Sequence, residues 1–442
     1  MFNTRGVQLV SGWGRNLYSR PARIIGDFTK TFDLDLSRGM LPTGNHRSYG
    51  DSSLTTNGIS LSSVNLKEIK VNAGKYYVTC GSGVTIGELS RISVPEKLYP
   101  FVVPGTEFVT IGGAIASDIH GKSHHKVGSF SEHVLRIRIK LSTGELLDLF
   151  PEGPTSEWFN ATCGGLGLTG FIVEADIQLQ RIEEDFVLVE NRKFYSLQEL
   201  KKLVLGLDSQ YLYSVAWIDL SGSYSGRGIL SLANHSLSTN SERWGKRLSF
   251  GSPARLSIPF KKTPCVINPF TVRLFNEVWF RKKSSISKQK LRSFMHPLDG
   301  ISNWNKLYGN FGFIQYQFVV PESEFLFLEE VLELLKIHQI ASPLGVLKRL
   351  GGQSKSLLGF ADKGWTLAID IPRRTRNLDS VIEELDAAVI NRGGKVYLTK
   401  DSCLTKEGVR LMYPQLKDWQ KIKSAMDPVG LWVSDQSRRL GL

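Results

Sequence analysis

The sequence predicts an α+β protein built from two domains. The chain has 442 residues, which is more than one ordinary hydrophobic core accommodates. Hydrophobic residues make up 41% of the chain and charged residues 22%, as is typical of a globular protein. Short runs rich in β-branched residues alternate with helical patterns along the chain, which indicates both kinds of element.

The first region, residues 1 to about 183, is rich in glycine and in short strand-like runs. The strand-like runs cover residues 76–80, 134–141 and 170–175, and a helical pattern covers residues 86–91. Residues 142–145, Ser-Thr-Gly-Glu, lie between two such runs and predict a hairpin turn.

The second region begins near Asp185 and has longer elements. Its sequence predicts helices over residues 196–207, 322–337 and 378–392, and strands over residues 212–220, 312–320 and 366–371. Gly393 and Gly394 end the last of these helices. This alternation predicts one sheet covered by helices.

Three glycine-rich stretches in the first region carry the strongest chemical signal. They cover residues 44–51, 104–116 and 164–170. Glycine lets the backbone approach a ligand closely and turn its N–H groups inward, which makes a concave site for a pyrophosphate. One such loop usually marks only a turn. Three of them indicate a dinucleotide site.

Two common phosphate-binding motifs do not fit these loops. The stretch Gly164-Gly165-Leu166-Gly167 lacks the Gly-x-Gly-x-x-Gly spacing, and a strand-like run follows it where a Rossmann motif opens a helix. The sequence Gly121-Lys122-Ser123 ends like a Walker loop, but Ala116 stands at the position of its first glycine.

A set of short motifs, in order along the chain, identifies the family. The motifs occupy residues 47–51, 104–106, 111–116, 118–125, 164–170, 225–228, 315–318, 399–402 and 434–440. With them the sequence resembles flavoenzymes of the vanillyl-alcohol-oxidase type, which have a PCMH-type FAD-binding domain, and within that group the decaprenylphosphoryl-β-D-ribose 2′-oxidases. The resemblance covers essentially the whole chain.

The resemblance implies a split architecture. Residues 1–183 and 395–442 would form the FAD-binding domain, and residues 184–394 a substrate-binding cap with an antiparallel sheet and helices. Related oxidases often attach the flavin to a histidine on the first phosphate loop, and Arg47 stands at that position here. The resemblance therefore implies noncovalent FAD, although His46 is only one position away.

The resemblance also nominates site residues. Lys400 would supply a fixed cation for the negative charge that reduced flavin carries, with Tyr49 and His120 beside the flavin as further catalytic residues. The residues expected to bind the cofactor are Gly44, Asn45, His46, Arg47, Ser48, Tyr49, Pro104, Gly105, Thr106, Thr110, Gly112, Gly113, Ala116, His120, Gly121, Gly165, Gly167, Ile172, Tyr397 and Lys400.

The expected substrate pocket lies mainly in the cap. Its residues are Lys122, Trp217, Gln315, Gln317, Lys348, Thr366 and Ala368. Gln315 and Gln317 alternate on a strand-like run, so their amides share one face, which is either a sugar pocket or a solvent face. Lys348 and the adjacent Arg349 suit a substrate phosphate. Ala368 stands where the mycobacterial enzymes carry a cysteine, and Thr366 where they carry an asparagine.

The sequence gives little support for a metal or a disulfide. His120 and His124 are four residues apart, but Gly121 weakens a helix there and only Asp118 adds a ligand nearby. The four cysteines are scattered and form no Cys-x-x-Cys pair, which favours a reducing compartment. With neither a signal-like N-terminus nor an apolar run of membrane length, we expect a cytoplasmic protein, at most peripheral to the inner face of the cell membrane.

The net charge of +13 is concentrated in one segment. Residues 241–292 contain thirteen basic residues and two acidic ones, interleaved with aromatic residues. Such a segment suits an anionic surface, either phospholipid or nucleic acid, and a solvated insertion is an equal alternative. A nucleic-acid-binding protein would leave the three glycine loops without a role, and the chain has no nucleic-acid-binding motif.

The resulting hypothesis is an FAD-dependent oxidoreductase that acts on a sugar hydroxyl. The resemblance implies oxidation at C2′ of a polyprenyl-phosphoryl-β-D-ribofuranose to a 2′-keto sugar. A separate NADH-dependent keto-reductase would then complete epimerisation to the arabinose form, a precursor of cell-envelope glycans. The alternative is an oxidase of a soluble alditol or aldonolactone.

Overall fold

A computed structural model describes residues 9–26, 36–222, 226–237, 247–252, 256–258, 265–281, 285–340 and 342–442. Within them the chain forms the following strands: β1 Val10–Ser11, β2 Tyr18–Ser19, β3 Arg23–Ile25, β4 Met40–Thr43, β5 Ile59–Ser62, β6 Ile69–Asn72, β7 Tyr77–Gly81, β8 Leu98–Pro100, β9 Val134–Lys140, β10 Leu146–Leu149, β11 Phe171–Arg181, β12 Phe186–Phe194, β13 Tyr213–Ile218, β14 Gly228–His235, β15 Ile286–Lys290, β16 Phe313–Pro321, β17 Gly345–Leu350, β18 Gly364–Pro372 and β19 Lys395–Val396.

The α-helices of the described residues fall between these strands and after the last of them. They are α1 Ile86–Ser93, α2 Ile111–Ala116, α3 His124–Val127, α4 Ser156–Thr162, α5 Leu197–Leu207, α6 Pro269–Phe280, α7 Leu291–Met295, α8 Phe327–Ile337, α9 Leu378–Asn391, α10 Lys406–Met412, α11 Leu416–Met426 and α12 Asp435–Leu440. The α+β class is confirmed. In the described part of the chain, no helix combines the length and the apolar character that a membrane span requires.

The strands before residue 182 form small sheets. The largest is antiparallel, with the order β10-β9-β11-β7-β6 and with β8 paired to β11, and a parallel sheet has the order β3-β5-β4. Strands β9 and β10 join through the turn predicted at residues 142–145. Helix α1 begins at Thr85, whose side chain forms a capping box with Glu88.

The later strands form one antiparallel sheet of eight strands within the described residues. Its order is β15-β12-β14-β13-β17-β18-β16-β19. Strand β11 ends at Arg181 and β12 begins at Phe186 in this second sheet, while β19, at residues 395–396, pairs with β16. The domain boundaries near residues 183 and 394 stay a prediction.

One face of the large sheet packs against helices. Side chains of Ile314, Phe318 and Leu367 belong to the same buried cluster as residues of α5, α8 and α9. The side chains of a strand alternate between the two faces, so Gln315 and Gln317 of β16, Thr366, Ala368 and Asp370 of β18, and Lys348 of β17 lie on the opposite face. Their positions on neighbouring strands adjoin: Gln317 pairs with Ala368, Gln315 with Asp370, and Lys348 with Thr366.

One predicted helix is wrong in its first turn. Residues 322–337 contain a 3-10 turn, Glu322–Leu326, with non-helical dihedral angles at Glu324, before α8 begins at Phe327. The buried ring of Phe325 packs edge-on against Trp365, with ring centroids 4.8 Å apart. The apolar spacing of this segment is continuous, so the break comes from tertiary packing.

Candidate active site

The three glycine-rich stretches border one cleft. Its cavity volume is about 120 Å³, and its lining combines the loop after β4, the start of α2 and the turn before β11. The predicted cofactor residues that line it are Gly44, Asn45, His46, Arg47, Ser48, Thr110, Gly112, Gly113, Ala116, Gly167 and Ile172.

Glycine is required at several positions of this cleft. A Cβ atom on Gly44 would collide with the Thr110 hydroxyl, and one on Gly112 would lie 3.0 Å from Cβ of Ser82. Gly167 has φ +77°, in the left-handed region that favours glycine. These positions therefore bring main chain to the surface of the cleft.

Several buried polar atoms at the cleft have no hydrogen-bond partner in the described part of the protein. They are Oγ of Ser82, Nε of Arg47 and Oγ1 of Thr399. The Arg47 guanidinium lies over the rings of Trp13 and Phe108, 4.2 and 4.8 Å from their centroids. Buried polar groups normally have partners, so these atoms suit a polar ligand such as a pyrophosphate.

Arg439, near the end of the chain, holds two of the motifs together. Its guanidinium bonds Asp51 at 2.8 and 2.9 Å and Asp401 at 2.8 Å. Gly50 faces the carbonyl oxygen of Asp401 so closely that a Cβ atom would not fit. The loop of residues 47–51 and the segment of residues 399–402 are thus fixed against one another.

Lys400 lies beside Tyr49 and Asp370. Its Nζ is 5.5 Å from the centroid of the Tyr49 ring, and that ring packs edge-on against Phe313. Burial lowers the pKa of Lys400 to about 8, while the charge of Asp370 acts in the opposite direction. Burial also raises the pKa of Tyr49, so its phenol stays protonated.

Asp370 is completely buried on β18. Its Oδ1 accepts from Nε2 of Gln315 at 2.5 Å and its Oδ2 from the hydroxyl of Tyr308 at 3.0 Å. Burial raises the pKa of Asp370 to about 6, and those hydrogen bonds and Lys400 oppose the rise. Sequence reasoning missed Asp370 as a site residue.

Gln317 links the sheet to His120. Its Nε2 lies 3.0 Å from Nε2 of His120 and donates to the hydroxyl of Thr366 at 2.9 Å. The His120 ring packs against both Phe360 and Tyr397, 5.3 Å from each centroid. Burial, and then the charge of Lys348, keeps the pKa of His120 well below its usual value. The imidazole is therefore neutral.

Two further lysines approach this group. Nζ of Lys122 donates to the carbonyls of Phe294 and Met295 at 2.7 and 2.8 Å. Burial lowers the pKa of both Lys122 and Lys348 to about 7, and for Lys348 repulsion from Lys400 and Lys122 adds to the effect. The site thus brings three lysines together, and Asp370 offsets one of their charges.

Comparison with known proteins agrees with this geometry. A family model described as "FAD binding domain" matches residues 36–149. The chain is 34% identical to the decaprenylphosphoryl-β-D-ribose oxidase of Mycolicibacterium smegmatis, over 98% of this chain and 97% of that protein.

The chain belongs to the decaprenylphosphoryl-β-D-ribose oxidase family.

Other relatives are more distant or match a shorter part. An uncharacterised protein of Streptomyces coelicolor is 29% identical over 81% of this chain and 100% of its own length. A D-lactate dehydrogenase of Archaeoglobus fulgidus is 32% identical over 22% of this chain. This member of the oxidase family is an FAD-dependent oxidoreductase of the PCMH-type FAD-binding group.

The other predicted residues lie at different places around the site. Thr106 donates to Asp299, and Tyr397 donates to the carbonyl of Ser117. Trp217 is half-buried, and its indole N–H lies 3.4 Å from the carbonyl of Pro343. The predicted cofactor residues that do not line the cleft are Tyr49, Pro104, Gly105, Thr106, His120, Gly121, Gly165, Tyr397 and Lys400. All these roles stay predictions.

Some expectations change with the structure. Arg349 lies on the helix side of β17, where it pairs with Glu322 and Asp208, so the idea that it joins Lys348 in the pocket is wrong. The solvent-face alternative for Gln315 and Gln317 is excluded, because both are buried. Cleft residues that sequence reasoning missed include Ser52, Ser53, Ser63, Ser82 and Ser117, and no local pattern marks these hydroxyls. Thr399 also lines the cleft and belongs to the family motif at residues 399–402, but it was not nominated as a cofactor residue.

His124 uses both ring nitrogens in protein contacts, and His120 uses Nε2. Nε2 of His124 lies 3.2 Å from the Ser129 hydroxyl, and its Nδ1 accepts from the amide of Gly351. The described residues contain no group of three potential metal-ligating side chains.

Proposed function

We propose that the protein oxidises C2′ of a polyprenyl-phosphoryl-β-D-ribofuranose to the 2′-keto sugar. C2′ loses its hydrogen with two electrons, and the 2′-hydroxyl loses its proton. The family assignment supports this reaction class, because a relative that matches along nearly the whole chain is a decaprenylphosphoryl-β-D-ribose oxidase.

The observation that carries the substrate class is the grouping of three lysines around one carboxylate in the site. Burial, and then the charges of Lys400 and Lys122, lowers the pKa of Lys348, and Asp370 acts on Lys400. A phosphate brought by the substrate would pair with Lys122 and Lys348 through charge-assisted hydrogen bonds. A neutral alditol or aldonolactone, the second candidate, would leave these charges uncompensated.

The cleft residues suit FAD as a tightly held ligand. Gly44, Gly112 and Gly167 would bring main chain close to its pyrophosphate, with Ser82 and Arg47 supplying donors. Bound FAD supplies a two-electron acceptor. Because Arg47 occupies the position of the attaching histidine in related oxidases, we infer a noncovalent cofactor.

The protein side chains then have separate tasks. Lys400 places a positive charge where negative charge develops in the transition state, an interaction that is strongest in a water-excluded site. Gln315 and Gln317 present amides to sugar hydroxyls from the face of the large sheet. His120 accepts a hydrogen bond from Gln317 at Nε2, so its own proton stays on Nδ1.

The chemistry of the product and of the substrate implies two partners, a reductase and a membrane. A 2′-keto sugar needs a separate NADH-dependent reductase to reach the arabinose form, as expected for a cell-envelope glycan precursor. A polyprenyl chain keeps the substrate at a membrane. We therefore infer a peripheral protein at the inner face of the cell membrane.

The test compares three substrates in the presence of an artificial electron acceptor. Farnesyl-phosphoryl-β-D-ribofuranose is expected to be consumed, and borohydride treatment of the product should give both ribo and arabino forms. Free ribose and a soluble alditol should react much more slowly. Preferential oxidation of the alditol, with peroxide release and no reaction of the phosphoryl ribose, would favour the second candidate.

A further inference from the structure

Helix α6 carries apolar side chains on two sides. Its buried side consists of Val272, Asn276 and Phe280, whereas Phe270, Leu274 and Val278 on another side are 77%, 58% and 62% exposed. These three residues are spaced by four and therefore form one stripe along the helix. A surface helix normally has a single apolar stripe, which faces the core, so the second, exposed stripe of α6 is unusual.

The orientation of α6 is fixed by buried polar contacts. Asp219, on the sheet side, is completely buried and accepts from Nδ2 of Asn276 at 2.7 Å and from Nε of Arg227 at 3.0 Å. Arg227 also donates to Glu277 at 2.7 Å. Rotating the helix to bury its exposed apolar stripe would break the bond from Asn276 to this buried carboxylate and separate Glu277 from Arg227. The outward stripe is therefore part of the fold.

The last described basic residues of the segment 241–292 pair with acidic side chains. Lys288, Lys290 and Arg292 pair with Glu184, Asp185 and Glu107, so this part of the charge stabilises the fold.

Other basic residues of the segment lie on α6 or close to it in sequence. Arg281 is largely exposed at the helix end, and its pairing with Glu277 is shared with Arg227. Arg273 lies on the helix itself. Lys261, Lys262, Lys282 and Lys283 adjoin α6 in sequence and lie outside the described residues. An apolar stripe amid basic residues is complementary to an anionic lipid surface.

We propose that α6 docks the protein on a membrane of anionic phospholipids, with Phe270, Leu274 and Val278 entering the interface. Basic residues near a membrane surface attract anionic headgroups, and buried apolar side chains add to the binding. This docking rests on the proposed function, because a lipid-linked substrate lies in a membrane. Helix α6 would be the surface that meets that membrane.

The first test is flotation of the FAD-loaded protein with lipid vesicles. Wild-type protein should float with vesicles of phosphatidylcholine and phosphatidylglycerol and stay behind with phosphatidylcholine alone. The triple variant Phe270→Ser, Leu274→Ser and Val278→Ser should bind the anionic vesicles at least tenfold more weakly. The matched control replaces Leu205, Ile337 and Val429, exposed apolar residues of other surfaces, with serine and should float like wild type.

Two outcomes would overturn the docking proposal. One is equal flotation of the α6 variant and the wild type. The other is an absence of vesicle binding together with a dimer, measured by light scattering, that the α6 substitutions dissociate, because a second copy would then cover the stripe.

Activity measurements separate this proposal from the proposed function. The α6 variant should oxidise a soluble short-chain phosphoryl ribose at the wild-type rate and a vesicle-embedded long-chain substrate more slowly. If wild type oxidises the soluble substrate but ignores anionic vesicles, the docking proposal fails alone. If it binds vesicles through α6 and oxidises no phosphoryl ribose, only the proposed function fails.

Discussion

Gln317 and His120 are 197 residues apart in the chain, and their Nε2 atoms lie 3.0 Å from one another. Gln317 belongs to the large antiparallel sheet, and His120 follows the second glycine-rich stretch. Because an amide nitrogen only donates, His120 accepts at Nε2 and keeps its proton on Nδ1. This contact joins the face that would hold the sugar to the part that would hold the flavin.

The glycine cleft can be tested by its cofactor content. Gly44→Ala should lower the amount of FAD that copurifies, because the added Cβ meets the Thr110 hydroxyl at the wall of the cleft. Gly206→Ala is the control, since Gly206 lies on α5 with open space around it. Visible flavin absorbance per protein gives the readout. Full occupancy in Gly44→Ala would contradict the placement of FAD in this cleft.

The flavin should be released when the protein is unfolded. Arg47 cannot form the flavin bond that a histidine forms, and Nδ1 of His46 lies 3.3 Å from the Ser53 hydroxyl. Acid precipitation should therefore leave a colourless pellet and a yellow supernatant. A yellow pellet that becomes colourless in His46→Ala would show a covalent bond at His46 instead.

Lys122 and Lys348 should affect the binding of phosphorylated substrates only. Lys348→Gln removes one charge-assisted hydrogen bond, which is worth about 1.5–3 kcal/mol, so the KM for the phosphoryl ribose should rise roughly tenfold to a hundredfold. Lys363→Ala, at an exposed lysine that pairs with Glu322, should leave KM unchanged. An unchanged KM in Lys348→Gln would remove this residue from phosphate binding.

The rate should fall at alkaline pH, and Asp370 should determine the pH at which the fall begins. Lys400 has a pKa lowered to about 8, so its positive charge is present below that pH and is lost as the pH rises through it. The kcat/KM of wild type should decline accordingly. In Asp370→Asn the carboxylate no longer raises the pKa of Lys400, and the decline should move to lower pH by roughly one to three units.

A control separates this effect from a general loss of stability. Asp379→Asn removes an exposed carboxylate that pairs with Arg373 and should leave the pH profile unchanged. An identical alkaline limb in wild type and in Asp370→Asn would show that the two side chains are not electrostatically linked.

Local sequence patterns predicted the elements around the site well. Alternation put Gln315 and Gln317 on one face, and β16 has them there, buried. The helix predicted at residues 196–207 is α5, Leu197–Leu207, with Ser196 as its cap. These features depend on periodicity and capping, which are properties of short segments.

Long-range contacts could not be predicted in this way. No pattern near Asp370 marks its carboxylate as the neighbour of Lys400, because the two meet only when β18 and the segment after β19 come together. The orientation of Arg349 away from Lys348 likewise required the register of β17. The interruption of the predicted helix at Glu324 depends on the packing of Phe325 against Trp365. The local apolar spacing does not reveal that contact.

Rapid anaerobic mixing of the purified protein with a polyprenyl-phosphoryl ribose tests the account most directly. The visible band of oxidised flavin should bleach within the turnover time of wild type. In Lys400→Ala bleaching should be slower by roughly a hundredfold to a thousandfold, the usual cost of losing one stabilising group for developing negative charge. Lys363→Ala should bleach at the wild-type rate. Full-speed bleaching in Lys400→Ala, or no bleaching in wild type, would contradict the account.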